Sequence, residues 1–526
     1  MADVLLRGGL VVDGSGAPGR PADVAIEGER VSAIGDLASM TAAVDVDASG
    51  MVVAPGFVDT HAHSDGVLLQ DPQHANGVRQ GITTEIIAQD GLSYAPLGAD
   101  DFRMYRRYLS GLLGLPPDDL DMSSIAAARE HYDGKACNVV QLVPHGAVRI
   151  GVVGFHDTPL RGDLLAAADG IVRQGIADGA RGFSTGLSYY PNSYSDSDEL
   201  IALNRAVAEA GGVYVVHVRN HNDDRAPYGT GITEALEIGR RSGVKVHVSH
   251  YRTQPSTAGD VEELMTEIDA AKQDGVDVSL ECYPYPAGST VPGYFLPGEF
   301  HEGGPDAMLA RLDTPEGRKA AIDAIGSLFP GALEGAAWTW LASEANRGLG
   351  GMSFADVATL RGVSIEEMTV DVMIEERLAC GFRYIPPSSI AIWRQVEADV
   401  MALLARDDYM IGSDSIPLGE MPHPRAYGTF PRVVGRLRRR LGNSLEQVVN
   451  RVTGLPASRF GLTDRGVLRE GAFADIVVFD ADQIADLASF EDPTAPPVGI
   501  PHVLVNGTFV VRDGALTGAL PGRVVP

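Results

Sequence analysis

The sequence predicts an α/β protein: a (β/α)8 TIM-like barrel, a small β-sandwich domain built from both termini, and a lid insertion before the last barrel strand. Three observations support this fold class. Apolar strands alternate with helical segments through the middle of the chain, and both ends contain short strands. At 526 residues, the chain is also too long for a barrel alone.

Short strands at the two chain ends predict the small domain. Residues 23–34 alternate polar and apolar positions around a turn, and residues 474–480 and 502–511 are rich in β-branched residues. Because these β-rich ends flank a long middle, we expect residues 1–55 and 455–526 to form one domain.

The alternation of strands and helices assigns residues 56–454 to the barrel. A helix is expected over residues 199–210, with Asp196 as an N-cap candidate and Gly211 at its end. Strands are expected at residues 84–89, 138–143, 213–218 and 244–250.

The pattern weakens between residues 288 and 387, where paired prolines and glycines indicate loops. Helical pieces follow, such as residues 364–377. We interpret this region as an insertion between the last two barrel strands that forms a lid.

Composition narrows the class of partner. The net charge of −28 disfavours nucleic acids and anionic membranes as partners. It says nothing specific about the substrate, which we expect to be a small molecule. Cys137, Cys282 and Cys380 are scattered and odd in number, which is typical of a reduced compartment. The N-terminus shows no signal-peptide pattern, and no apolar run is long enough to span a bilayer. A cytoplasmic location is therefore expected.

The segment GFVDTHAH, residues 56–63, ends a predicted strand. Residues two apart in a strand point to the same side, so His61 and His63 can present two imidazoles to one metal ion. Taken alone, such a pair is also explained by two polar residues at the start of a loop, and the metal interpretation needs further residues.

Further polar residues stand at the ends of other strands. His217, His250 and Asp414 each follow an apolar run, at the edge where barrel active sites are built. His247 and His250 are three residues apart and must face opposite sides of the strand, so we assign His250 to the site and His247 to a structural role. A single buried histidine is usually a hydrogen-bonded core group, but several histidines and an aspartate at the ends of successive strands are hard to explain in that way.

Arg252 and Tyr283 follow two of the strands and could bind an anion or oxyanion, although a surface ion pair and a packed aromatic ring explain them equally well. His145 and His156 are expected in loops without an assigned role.

The chain resembles the amidohydrolase superfamily and, within it, the D-aminoacylases (N-acyl-D-amino-acid deacylases). The resemblance covers nearly the whole chain. The block HPRAYGTFPR at residues 423–432 is the part most specific to the D-aminoacylase branch. The other matching segments are APGFVDTHAHSD at 54–65, GFSTGL at 182–187, residues 217–250, GSD at 412–414 and GVLREGAFADIV at 466–477.

The resemblance implies zinc, as one or two ions, and a set of metal-site residues. These are His61, His63, His217, His250 and Asp414. Members of this branch carry a further cysteine ligand after the second strand, where this chain has Asp90 in the segment QDGLS at 89–93. A carboxylate is a harder ligand than a thiolate and favours a different metal or a second ion. Arg252, at the position of a family lysine, and Tyr283 are implied to bind the substrate carboxylate.

The implied reaction is metal-dependent removal of the acyl group from an N-acyl-D-amino acid. In this hypothesis Asp90, His217 and His250 hold the tight metal ion, His61 and His63 can hold a second, and Asp414 transfers the proton. Two alternatives remain open. One is a cyclic amide or imide hydrolase, or a deaminase, of the same superfamily; the other is a barrel without catalytic activity.

Overall fold

The structure is a computed structural model that describes residues 1–220, 225 and 227–525. The chain begins with strands that pair with one another before the barrel starts. These are β1 (Ala2–Val11), β2 (Arg20–Glu27), β3 (Arg30–Gly35), β4 (Ala42–Asp47) and β5 (Val52–Pro55).

Parallel strands and helices then alternate up to residue 282. The strands are β6 (Phe57–Asp59), β7 (Ile82–Ile87), β8 (Asn138–Gln141), β9 (Val143–Pro144), β10 (Gly182–Gly186), β11 (Val213–His217), β12 (Lys245–Val248) and β13 (Val278–Cys282). The helices are α1 (Asp65–Gln70), α2 (Ala75–Val78), α3 (Ala99–Tyr108), α4 (Ser110–Leu113), α5 (Ile125–Glu130), α6 (His145–Val153), α7 (Asp163–Ala177), α8 (Ser197–Glu209), α9 (Gly231–Ser242) and α10 (Val261–Gln273).

The region between β13 and helix α16 (Ile390–Leu404) contains its own small sheet and five α-helices. They are β14 (Ser289–Thr290), α11 (Gly298–His301), α12 (Gly304–Leu312), α13 (Pro315–Leu328), β15 (Ala336–Leu341), α14 (Phe354–Arg361), α15 (Ile365–Glu375) and β16 (Cys380–Tyr384). The strands pair in the order β14-β16-β15, antiparallel. A separate apolar core around Trp338, Phe354 and Phe382 holds this region together.

The remaining elements complete the barrel and return to the first sheet. They are α16 (Ile390–Leu404), β17 (Tyr409–Ile411), α17 (Arg425–Pro431), α18 (Arg438–Leu441), α19 (Leu445–Arg451), α20 (Gly454–Arg459), β18 (Ile476–Phe479), β19 (His502–Val505), β20 (Thr508–Arg512) and β21 (Ala515–Leu516). A π-helical segment, Arg432–Leu437, joins α17 to α18.

Within the described residues, the barrel has eight parallel strands when the short consecutive strands β8 and β9 are counted as one. One sheet runs β6-β7-β8 and the other β9-β10-β11-β12-β13-β17. The barrel closes where Ala62 pairs with Ser415 in a parallel bridge and where Asp414 N donates to His61 O at 2.8 Å. Closure therefore brings the residues after β6 beside those after β17.

Strands from both chain ends share one sheet. Its order is β21-β20-β19-β18-β5-β1-β2-β3, with β4 paired to β1. Leu6 and Ile26 from the first part of the chain pack with Ile476 and Leu504 from the last part in one core. Burial of this shared apolar surface keeps the two termini together.

Local sequence explains where these elements begin and end. Helix α8 starts after Asp196, whose side chain accepts a hydrogen bond from Glu199 N at 3.0 Å, and it stops before Gly211. In contrast, strand β12 ends at Val248, two residues earlier than the sequence suggested. The cause is His250, whose φ of 37° is incompatible with an extended strand.

Among the described helices, none combines the length and the apolar character needed to cross a bilayer.

Candidate active site

His61 and His63 follow β6 and point to the same place. Their Nε2 atoms lie 3.3 Å apart. Asp414, which follows β17 in the closed barrel, places Oδ1 3.2 Å from His63 Nε2. His61, His63 and Asp414 together offer three ligand atoms that all lie within 4.8 Å of one another.

Asp90 joins this group to a second pair of histidines. Asp90 Oδ2 lies 3.6 Å from both His63 Nε2 and His217 Nδ1. His217 Nδ1 in turn lies 2.9 Å from His250 Nε2. His61, Asp90 and His250 form another set of three ligand atoms within 4.8 Å. The structure thus brings together all six residues that the sequence suggested for the metal site.

Four residues at this edge of the barrel have a left-handed backbone. The φ angles are 63° at Ala88, 56° at Asp90, 37° at His250 and 52° at Asp414. A residue with a side chain rarely adopts this conformation, which costs on the order of 1–3 kcal/mol and is concentrated at functional sites. Here the turns direct the side chains of Asp90, His250 and Asp414 into one cluster.

The cluster is buried, and its charges perturb one another. Burial opposes a charge on His61, but Asp90 and Glu281 outweigh this effect and raise its pKa to about 10. Burial acts against the Asp90 carboxylate as well, yet His61 and His217 hold the pKa of Asp90 well below its usual range. Burial and the neighbouring His217 lower the pKa of His250 to about 3. Such opposed shifts within one group of side chains are typical of functional sites.

Glu281, on β13, positions two of the histidines. Its Oε1 accepts a hydrogen bond from His61 Nδ1 at 2.9 Å and another from the backbone N of His250 at 2.7 Å. Because Nδ1 of His61 is turned to Glu281, Nε2 is the nitrogen that faces the cluster. A Cβ at Gly412 would lie 2.3 Å from Glu281 Oε2, so this approach requires glycine.

Asp59 ties the end of β6 to the end of β17. Its Oδ1 accepts from His61 N at 3.1 Å and from Ser413 N at 2.8 Å. Burial, together with the nearby Glu85, raises the pKa of Asp59 to about 8. These contacts fix His61 and Asp414 relative to each other across the closure of the barrel.

Arg425 holds Asp414 from the side opposite to the histidines. Its Nη1 lies 2.8 Å from Asp414 Oδ2, and Arg425 itself is only 1% exposed. Burial disfavours ionisation of Asp414, but Arg425 and His63 overcome that effect and lower its pKa. Asp414 is therefore an ionised carboxylate with Oδ2 engaged and Oδ1 turned towards the histidines.

Arg252 and Tyr283 lie in the same cleft as the histidines. The cleft has a volume of about 420 Å³, and its walls include His63, Asp90, His217, His250 and Asp414. Two guanidinium groups lie over the ring of Tyr283, with Arg252 at 4.7 Å and Arg425 at 4.6 Å from its centroid. Arg252 is thus a positioned cation that faces the cleft, rather than a surface ion pair.

The other histidines considered from the sequence lie outside the cluster. His247 is buried, with Nδ1 2.8 Å from Ser279 Oγ and its ring against Phe460. His145 pairs with the buried Glu199 at 2.9 Å. His156 forms a surface ion pair with Glu302.

The sequence did not identify two residues that position the side chains of the cluster, Glu281 and Arg425. Glu281 was recognisable as a lone acidic residue at the end of an apolar strand, but its partner is distant in the chain. Arg425 lies in the block HPRAYGTFPR, and the sequence gave this arginine no role of its own.

A third group of potential ligand atoms lies apart from the cluster and consists of His74, Glu85 and Cys137. In this group, His74 Nε2 and Glu85 Oε1 form a hydrogen bond of 2.6 Å.

A parallel barrel with histidines and aspartates gathered at the carboxyl ends of its strands is the arrangement of metal-dependent hydrolases. The sequence matches the amidohydrolase family over residues 45–289 and 323–511. The chain belongs to this family, as the resemblance predicted.

Characterised relatives match over almost the full length. A D-aminoacylase from Alcaligenes xylosoxydans xylosoxydans is 34% identical over 99% of this chain and 97% of its own. An N-acyl-D-glutamate deacylase from the same organism is also 34% identical, over 99% of this chain and 96% of its own. The crystal structure of N-acyl-D-glutamate deacylase from Bordetella bronchiseptica, complexed with zinc and a phosphonate inhibitor, superposes with a TM-score of 0.80 at 32% identity, covering 100% of this chain and 99% of that one.

Proposed function

We propose that this protein hydrolyses N-acyl-D-amino acids to a D-amino acid and a carboxylate. The observation that carries this proposal is one cleft lined by three histidines, Asp90, Asp414 and a cation at Arg252, with His61 buried directly beside them. The full-length similarity to a D-aminoacylase and to a deacylase with bound zinc supports the same reaction.

The donor set fits zinc, because imidazole nitrogens and carboxylate oxygens are ligands that Zn²⁺ takes in proteins. Asp90 Oδ1 is buried and has no hydrogen-bond partner, as expected of an atom kept for an ion. We assign Asp90, His217 and His250 to one ion, with His61 and His63 able to hold a second. Bound Zn²⁺ lowers the pKa of water to about 7 and polarises a carbonyl group, which makes amide hydrolysis feasible at neutral pH.

Asp414 is assigned as the general base and acid. Arg425 holds Oδ2 at 2.8 Å, so Oδ1 is the atom that can take a proton from the attacking water. The same oxygen then delivers the proton to the leaving nitrogen, which departs as an amine. Its lowered pKa keeps Asp414 ionised in the resting enzyme.

Arg252 is assigned to the α-carboxylate of the substrate. A guanidinium can donate two parallel hydrogen bonds to a carboxylate, and the Tyr283 ring fixes its plane. With the scissile amide at the ligand cluster and the carboxylate at Arg252, the two enantiomers place their side chains in different parts of the cleft. The wall that receives the side chain is therefore the third contact through which the protein would select D-amino acids.

The experiment measures amine release from paired N-acetyl-D- and N-acetyl-L-amino acids by the zinc-loaded protein. We expect release from D-substrates only, and its loss in Asp414→Asn with zinc still bound. Asp407→Asn is the matched control, because this aspartate is 91% exposed and remote from the cluster. Release from L-substrates, or an active Asp414→Asn protein, would contradict the proposal.

A further inference from the structure

A second large cleft lies on the outside of the barrel. Its volume is about 520 Å³, and it shares no lining residue with the active-site cleft among the described residues. One wall is helix α16, another is the helical segment 425–441, and the third is the segment 486–491 that follows β18. This volume is within the usual range for small-molecule sites.

The floor of this cleft is rich in arginine. Arg432, Arg436 and Arg440 are spaced four residues apart on one helical face. They share two buried acids: Arg432 and Arg436 contact Asp486 at 2.7 and 3.3 Å, and Arg432 and Arg440 both contact Glu397.

The arginines outnumber the acids. Arg394 adds a fourth cation to the wall, and Glu491 a third carboxylate. Four cations against three anions leave a surplus of one positive charge, in a chain whose net charge is −28. A local cationic surplus on so acidic a protein is suited to a single anionic group.

Polar atoms at the floor of the cleft lack partners. Tyr285 is 1% exposed and Arg432 4% exposed, yet the Tyr285 hydroxyl and Arg432 Nε have no hydrogen-bond partner. The Arg432 guanidinium lies over the Tyr285 ring at 4.7 Å. Because buried polar groups are almost always satisfied, these two donors, together with the unpartnered acceptor Asp486 Oδ1, are available to water or to a bound group.

Apolar side chains line the rim of the same cleft. Ile390 is 70% exposed and Leu487 is 52% exposed, although both are large hydrophobic residues. Trp393 and Phe490 line the same cleft, with their ring centroids 5.8 Å apart. Apolar surface next to unpaired donors matches a ligand that is apolar at one end and anionic at the other.

We propose that this cleft is a second ligand site, which binds a small amphipathic carboxylate. The carboxylate accepts hydrogen bonds from the arginines and Tyr285, and the aromatic or branched apolar part packs against Trp393, Phe490, Ile390 and Leu487. The single surplus charge favours a monoanion over a dianion. This proposal rests on the walls of the cleft alone and does not depend on the reaction proposed above.

The test is isothermal titration of the zinc-loaded protein with 4-bromophenylacetate, a monoanion with one aromatic ring. We expect the double variant Arg394→Gln/Arg436→Gln to bind at least tenfold more weakly, since both residues are partly exposed and line the cleft. Arg439→Gln is the matched control, because Arg439 lies on the same helix but donates to the backbone oxygens of Ala481 and Ile484. Bromine anomalous scattering from a crystal with the probe is expected to place it beside Trp393.

Arg252→Gln separates the two clefts, because a carboxylate can also enter the active site. Binding that is lost in Arg252→Gln and kept in the double variant would place the probe at the active site and overturn the proposal. Absence of binding at millimolar probe would overturn it too. Sedimentation provides a further check. If the wild-type protein is a dimer and the double variant is a monomer, the cleft is assigned to a second copy of this chain instead.

Discussion

Arg425 and Asp414 form an ion pair of 2.8 Å at the wall of the active-site cleft, and both residues are buried. As a result, the two carboxylate oxygens of Asp414 have different partners. Oδ2 is held by the guanidinium, and Oδ1 lies 3.2 Å from His63 Nε2. Arg425 is accordingly a positioning residue in the proposed reaction.

Replacing Arg425 with Gln is expected to lower kcat about 100-fold, because a misplacement of roughly 1 Å in a reacting group has this effect. KM should change little, since Arg425 does not hold the substrate. Arg425→Lys, which keeps the charge, is expected to recover part of the rate. Equal losses in Gln and Lys variants, or a rise in KM alone, would contradict a positioning role.

Glu281 fixes His61 by accepting from its Nδ1, so Glu281→Gln should weaken zinc binding without removing a ligand. A lost partner of a ligating histidine typically costs about 10- to 100-fold in metal affinity. Competition with a chelator of known zinc affinity measures this effect. Ser279→Ala is the control on the same strand, because Ser279 contacts His247, which lies outside the cluster. Unchanged zinc affinity in Glu281→Gln would exclude this role.

The sequence indicated which histidines and aspartates gather in the cluster better than it indicated the side chains that position them. The spacing of His61 and His63 is local, because strand geometry alone directs both rings to one side. The contact between Glu281 and His61 joins residues 220 positions apart and exists only after the barrel closes. Local pattern carries no information about such a pairing.

The sequence predicted the insertion less completely than the barrel. Its loops and a helix near residues 364–377 were expected, and α15 occupies Ile365–Glu375. The small sheet was not expected, although β15 has the aromatic sequence AAWTWL, which favours a strand. Its pairing with β16 spans some forty residues of helix and loop, and short strands within a helical context leave a weak periodic signal.

Gly412→Ala is expected to disturb the metal centre through packing. The new Cβ would lie 2.3 Å from Glu281 Oε2 and 2.6 Å from His61 Cβ. Overpacking of a filled site costs about 1–3 kcal/mol, so we expect a lower free energy of unfolding and weaker zinc binding. Gly170→Ala is the matched control, because it lies in α7 with open space around it and should be neutral or stabilising by up to about 1 kcal/mol. If both variants behave alike, the close approach at Gly412 is wrong.

His301 should make the stability of the protein dependent on pH. Burial lowers its pKa to about 4, and the neutral ring accepts from the Tyr108 hydroxyl at 2.8 Å and donates to Leu296 O at 3.2 Å. Because the folded pKa lies below the unfolded value, the stabilisation is complete above pH 6.5 and is lost as the pH falls towards 4. At pH 5 the loss is about 2 kcal/mol.

Urea unfolding at pH 7.5 and pH 5 measures this contribution. We expect His301→Gln to reduce the difference in unfolding free energy between the two pH values by about 2 kcal/mol. An unchanged difference in the variant would show that His301 is not buried in its neutral form.

Arg252 is expected to recognise the carboxylate of the substrate, and a pair of substrates tests this role without relying on the variant alone. The wild-type protein should prefer N-acetyl-D-leucine to its uncharged methylamide, because only the acid can bind the guanidinium. Arg252→Gln should lower kcat/KM for the acid by about 10- to 100-fold, the usual worth of a hydrogen bond to a charged group. The methylamide should be affected far less, since its contact with Arg252 is already weak. A variant that loses activity equally on both substrates would instead assign Arg252 to the packing of Tyr283, whose ring it covers at 4.7 Å.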